Sequence, residues 1–156
     1  MFMSEVLVLH GPNLHYLGKR ETNLYGSLTL DEINQRILDK AKSLRLDAYI
    51  DQSNSEAELM TLIYEAKARD VNFIIFNPAA YTHTSIALRD ALIAVEIPFI
   101  EVHLSNIYAR ESFRHHSYFS DIALGSIAGL GPNSYLLALE AAATYLKDRI
   151  NEKNSN

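Results

Sequence analysis

The feature that most restricts the fold of this chain is alternation: short β-branched or apolar runs are separated by longer stretches of helical period. The runs are Val6 to Leu9, Ala48 to Asp51, Asn72 to Phe76, Pro98 to Val102 and Ile122 to Ile127. Strands that recur once per helix read as βαβ units around a parallel sheet. Thr29 with Glu32, and Ser55 with Glu58, have the spacing of a capping box, and each opens a helix. Ile33, Ile37, Ala41 and Leu44 mark the apolar face of the first helix; Leu59, Ile63 and Ala66 mark that of the second. A third helix is predicted from about Ser85 to Val95, and a fourth from Asn133 to Ile150, introduced by Gly131 and Pro132 and followed by a frayed polar tail from about 151. The expectation is one domain over residues 1–156, of α/β class: a flavodoxin-like, doubly wound, five-stranded parallel sheet flanked by helices.

Composition narrows the function classes. A formal net charge of -5, with 21% charged residues, is ill suited to a polyanion, so nucleic acid is not an expected partner. With no cysteine, the chain has no disulfide framework, thiolate metal site or covalent thiol chemistry. The start, MFMSEVLVLHG, carries Glu5 before a very short apolar run and no Lys or Arg, unlike a secretory or transit peptide. No apolar stretch reaches the length of a membrane span; Gly125, Gly129, Gly131 and Pro132 interrupt the richest one. The chain reads as cytoplasmic, with no membrane partner.

In doubly wound sheets, ligands bind beyond the carboxyl ends of the strands. The first strand ends in His10-Gly11-Pro12-Asn13, the third in Asn77-Pro78 and the fourth in Glu101-Val102-His103-Leu104-Ser105. The connection from Gly11 to Thr29 is long for a βα loop, as lids commonly are, and holds Lys19, Arg20, Glu21 and Tyr25-Gly26. A phenol with a reference pKa of about 10 must lose its proton to act as a base near neutrality. A nearby guanidinium is a permanent cation that supports the phenolate, and Arg20 is the candidate; the same pair also fits a packed tyrosine beside a solvated arginine. Glu101 and His103, two apart on a strand, project from one face, where a carboxylate can orient an imidazole for general-acid work. His103 equally fits a strand-end histidine satisfied by backbone. Asn13 and Asn77 fit either ligand contacts or turn residues, and Arg114 either an anion or hydroxyl clamp or a surface ion pair.

Longer blocks carry a resemblance. LHGPNLHYLGKRE (9–21) with Tyr25-Gly26, NPAAYTHTSIALRDAL (77–92), IPFIEVHLSNIYARESFRHHSYFS (97–120), and the GLG-containing approach to the last helix with YLLAL resemble type II 3-dehydroquinate dehydratases, in order and over nearly the whole chain. The resemblance implies a flavodoxin-like subunit of the shikimate pathway, or of quinate breakdown, that converts 3-dehydroquinate to 3-dehydroshikimate by anti elimination through an enolate. It implies Tyr25 as base, Arg20 as the cation that stabilises the transition state and the phenolate, and Asn13 contacting the enolate through a bridging water. His103 would protonate the departing hydroxyl, with Glu101 fixing its ring. Asn77, His83, Leu104, Ser105 and Arg114 match substrate-holding positions, Leu104 and Ser105 through backbone amides. Asp90 matches a residue that reaches a neighbouring subunit's site. The family is typically dodecameric, built from trimers, so a homo-oligomer is expected. No cofactor and no metal are implied.

The chain departs from the family pattern at His10 and His15, where Asn is usual, at Thr22, where Pro is usual, and at Ala79, where Gly is usual. Ala79 is expected to resist a backbone conformation that Gly accepts, altering rate or affinity before abolishing function.

Other readings have specific weaknesses. Six histidines invite a metal, yet no HExxH or comparable ligand spacing is present, and the neighbours His115 and His116 would diverge on a strand. A nucleotide-binding module lacks GxGxxG and GxxxxGK[ST], and Pro12 removes a backbone donor from the first loop. A Schiff-base dehydratase needs a buried lysine, whereas every Lys here sits in a polar or helix-surface context. A purely structural oligomer would have no use for Arg20, Tyr25, Glu101, His103 and Arg114 together.

Overall fold

The structure, a computed structural model, describes residues 3–156; Met1 and Phe2, which begin the segment read above as unlike a leader, lie outside the described residues. Five parallel strands form one sheet in the order β2-β1-β3-β4-β5: β1 Ser4–His10, β2 Leu46–Gln52, β3 Phe73–Asn77, β4 Phe99–His103 and β5 Gly125–Ala128. This is the flavodoxin-like order, and the chain reverses direction across the sheet between β1 and β3.

Side-chain parity divides the core into two layers. Val6, Val8, Phe73, Ile75, Ile100 and Val102 face one side, where α2 (Leu30–Ser43) and α5 (Asn133–Asn154) contribute Ile33, Ile37, Ala138 and Leu139. Leu7, Leu9, Ile74, Phe76 and Phe99 face the other, against Leu59 and Ile63 of α3 (Glu56–Ala68) and Leu88 and Leu92 of α4 (Ile86–Val95). Each such aliphatic side chain, taken fully from water, contributes roughly 1.5–3 kcal/mol. Strands buried on both faces read as unbroken apolar runs, which is why the sequence revealed them.

The Thr29–Glu32 capping box is complete, each side chain meeting the other residue's backbone N–H. At α3 only half forms: Ser55 Oγ accepts from the Glu58 amide, but the Glu58 carboxylate instead accepts from the Ser53 hydroxyl at 2.7 Å. Leu44 caps α2 half-buried rather than lying in its buried stripe. β5 begins at Gly125, not Ile122, because the Ile122 and Ala123 amides turn back onto the Phe119 carbonyl. The last helix runs to Asn154, so most of the tail expected to fray is helical.

The Gly11–Thr29 connection is also more ordered than a bare lid. A 3-10 turn (Leu14–Tyr16) and a four-residue helix, α1 (Thr22–Tyr25), occupy it, and Leu14 and Leu17 are buried. Gly11 fixes its start: the Gly11 N–H donates to the Asn77 carbonyl at 2.7 Å, and a Cβ here would stand 2.5 Å from the Pro78 oxygen. The ends of β1 and β3 therefore meet at a point where no side chain fits.

Candidate active site

A pocket opens beyond the carboxyl ends of β1, β3 and β4, beside the point where strand order reverses. Of the residues selected from sequence, Asn13, Arg20, Tyr25, Asn77, His83, His103, Leu104, Ser105 and Arg114 line it. Glu101 lies beneath His103, buried to 1% exposure. Asp90, exposed on α4, does not line this pocket. A larger groove of about 870 Å³ lies at the opposite end of the sheet, around Ser4, Pro98, Leu124 and Arg149. Its lining contains no histidine, and none of the residues selected for chemistry reaches it.

The imidazole side of the pocket is built on β4. His103 Nε2 donates to Glu101 Oε2 at 2.5 Å, a contact open to them because residues two apart on a strand share a face. The second carboxylate oxygen accepts from the Ser117 hydroxyl at 2.7 Å, and Ser117 Oγ in turn accepts from the Phe119 and Ser120 amides. This chain fixes the ring and leaves Nδ1 as the nitrogen available to a ligand.

The phenol side of the pocket rests on α1. Tyr25 ends that helix, and Gly26, at φ 81°, stops it. Arg110 Nη1 donates to the Tyr25 phenol oxygen at 2.8 Å. Arg20, the cation expected beside the tyrosine, lies over the Tyr25 ring at 5.1 Å and pairs its guanidinium with Glu21 at 2.8 Å. Both cations are close, but the one on the phenol oxygen is Arg110. Sequence reasoning missed it because Tyr25 and Arg110 are 85 residues apart and no local spacing links them.

The remaining groups supply hydrogen bonds of defined polarity. His83 Nδ1 donates to the His116 carbonyl at 2.7 Å. Burial pushes the His83 pKa down, partly offset by that carbonyl, so the neutral ring keeps Nε2 as an acceptor. Arg114 is oriented by Glu111, its Nε donating to Oε2 at 2.8 Å. Asn13 has a left-handed backbone, φ 68°, and its N–H donates to Asn54 Oδ1, tying the pocket rim to the β2–α3 connection. Ala79, at φ 52°, occupies the conformation expected to favour glycine.

Among the described residues, no three His, Asp or Glu side chains are grouped to share a metal ion. His115 Nε2 donates to the Arg110 carbonyl, while His116 packs edge-on against Tyr118. No helix of the described residues is long and apolar enough to cross a membrane.

The profile of the family described as dehydroquinase class II matches residues 4–143. A 3-dehydroquinate dehydratase from Legionella pneumophila (strain Corby) is 59% identical over 145 residues, 93% of this chain and 100% of the relative. One from Hahella chejuensis is 60% identical over 140 residues, 90% and 95% of the two chains. Among solved structures, the type II dehydroquinase from Propionibacterium acnes superposes with a TM-score of 0.87 at 46% identity, covering 92% of this chain and 99% of its own. With its sheet order, its strand-end pocket and these likenesses in agreement, the chain belongs to the class II dehydroquinase family.

Proposed function

We propose that this pocket dehydrates 3-dehydroquinate, the shikimate-pathway step of its family, with Tyr25 as base and His103 as acid. The observation that carries the assignment of roles is the pairing of two held groups on one cavity: a phenol oxygen against a guanidinium, and an imidazole against a buried carboxylate.

The Tyr25 phenolate takes the proton from the carbon beside the ketone, and the electron pair moves onto the ketone oxygen as an enolate. Asn13 stabilises that oxygen through a bridging water, and Arg20 adds positive charge on the same side. Collapse of the enolate expels the β-hydroxyl, which leaves as water with the proton supplied by the His103 imidazolium. The product is the conjugated enone 3-dehydroshikimate. Returning the proton from Tyr25 to His103 through solvent resets both groups. The base comes from the lid and the acid from the sheet, and an anti elimination sets them on opposite faces of the reacting carbon–carbon bond. Asn77, His83, Arg114 and the backbone amides of Leu104 and Ser105 hold the substrate's hydroxyls and carboxylate.

Asp90 serves a different pocket: on an exposed face of α4, it reaches the site of a neighbouring subunit in a homo-oligomer, a dodecamer made as a tetramer of trimers. The enzyme works in the cytoplasm without a cofactor. Adding 3-dehydroquinate to purified protein, with and without chelator, tests the activity through ultraviolet absorbance of the enone. Chelator-insensitive product formation is expected; a well-folded but inactive protein overturns the reading. Native mass spectrometry tests the assembly, with twelve copies expected.

A further inference from the structure

His10 and Asn77 are the last residues of adjacent strands, partners in register, and both side chains point toward α5. Tyr135, fully buried in the first turn of α5, lies between them. Its oxygen is 2.7 Å from His10 Nδ1 and 2.9 Å from Asn77 Nδ2. On its other edge, His10 Nε2 is 2.8 Å from Asn34 Oδ1. Asn77 Oδ1 accepts from the Ala79 amide at 3.1 Å.

These contacts admit one direction of donation. Asn34 Oδ1 can only accept, so His10 Nε2 carries the proton and Nδ1 presents its lone pair. The Tyr135 hydroxyl must then donate to Nδ1, which leaves its oxygen to accept from Asn77 Nδ2. The Asn77 carbonyl is already held by a backbone N–H. The amide is thereby fixed, with one Nδ2 hydrogen uncommitted on a side chain that lines the pocket. With the opposite His10 tautomer, the Tyr135 oxygen would accept from His10 and its hydroxyl hydrogen would be left without a partner beside Asn77 Nδ2, weakening one of the two contacts that hold the amide.

We infer that His10 and Tyr135 are positioning residues for Asn77: the neutral His10 tautomer, relayed through the Tyr135 hydroxyl, makes Asn77 a hydrogen-bond donor to the substrate. Burial supports the neutral ring, pushing the His10 pKa from 6.5 to about 4. Burial also raises the Tyr135 pKa, keeping the phenol protonated and able to donate. The inference rests on the reading of Asn77 as a substrate contact, and the test separates the two.

Asparagine places its amide oxygen near the position of histidine Nδ1, whereas glutamine places its amide nitrogen near that of Nε2. His10→Asn therefore keeps an acceptor for Tyr135, and His10→Gln keeps only the donor to Asn34. Steady-state kinetics of both, with Tyr135→Phe and Asn77→Ala, are read alongside thermal melting. Losing a substrate hydrogen bond made equally in the ground and transition states raises KM at nearly constant kcat. KM is expected to rise about five- to tenfold in Tyr135→Phe and His10→Gln, with kcat held to about twofold. His10→Asn should recover most of the wild-type KM even if its melting temperature falls as far as that of His10→Gln. Equal KM in His10→Asn and His10→Gln, or lower kcat at unchanged KM, overturns the inference. If Asn77→Ala raises KM while Tyr135→Phe does not, the relay alone fails; an unchanged KM in Asn77→Ala removes the substrate contact and the inference with it.

Discussion

The two groups proposed as acid and base are held in opposite ways. His103 stands on a central strand, 4% exposed, with a carboxylate, a serine and two backbone amides behind it. Tyr25 ends a four-residue helix whose residues are exposed or half-buried, and the contact on its oxygen comes from a guanidinium 85 residues away. The proposed acid is therefore preorganised by the core of the fold. The proposed base is carried by a surface segment at the mouth of the pocket. The same division of labour separates what a substitution does to folding from what it does to catalysis.

The largest expected effects set the two sides directly against each other. Tyr25→Phe and His103→Ala should each lower kcat by about 10²- to 10⁴-fold, the usual contribution of a positioned acid or base. Only His103→Ala should also cost stability, about 1–3 kcal/mol, because it removes the hydrogen-bond donor to a buried Glu101 oxygen. Urea unfolding of both variants checks this, and equal stability would erase the proposed asymmetry.

Acid should sharpen the comparison further, since the strand ends hold the buried His10. Its folded pKa, about 4, lies below the unfolded value of 6.5. The stability it contributes is complete above pH 6.5 and is lost as pH falls toward 4, because the unfolded chain binds the proton first. About 3 kcal/mol should disappear over that window. Unfolding curves of wild type and His10→Asn should converge as pH falls, and parallel curves would remove His10 from the explanation.

On the lid side, Arg110→Ala should lower kcat by about 10- to 100-fold through loss of one charged hydrogen bond, with little change in unfolding free energy. Single-turnover rates and melting curves together test that pairing. The smallest effect is at Ala79. Glycine accepts φ 52° freely, so Ala79→Gly should raise stability by up to about 1 kcal/mol, shifting Tm by roughly 2–4 °C.

Legibility in the sequence follows the same line. Buried parallel strands announce themselves as apolar runs, and the pairing of Glu101 with His103 follows from a two-residue period alone. The capping box at Thr29 is equally local, while that at Ser55 was half wrong because Ser53 competes for the Glu58 carboxylate. Tyr25 was selected correctly as a pocket residue, but the cation on its oxygen was not, since that contact depends on how two distant loops fold together. Ser117 was hidden for the same reason: nothing within a few residues of it predicts the Glu101 contact. The helical turns in the lid were hidden differently. Leu14 and Leu17 bury themselves three residues apart, a pattern too short to stand out within a polar stretch.

The most direct test of the division between base and acid is deuterium exchange into 3-dehydroquinate in heavy water, followed by NMR at the carbon beside the ketone. His103→Ala retains the base, so it should exchange that position while forming little product, whereas Tyr25→Phe should do neither. Exchange by Tyr25→Phe, or its absence in a well-folded His103→Ala, would contradict the roles assigned to both residues.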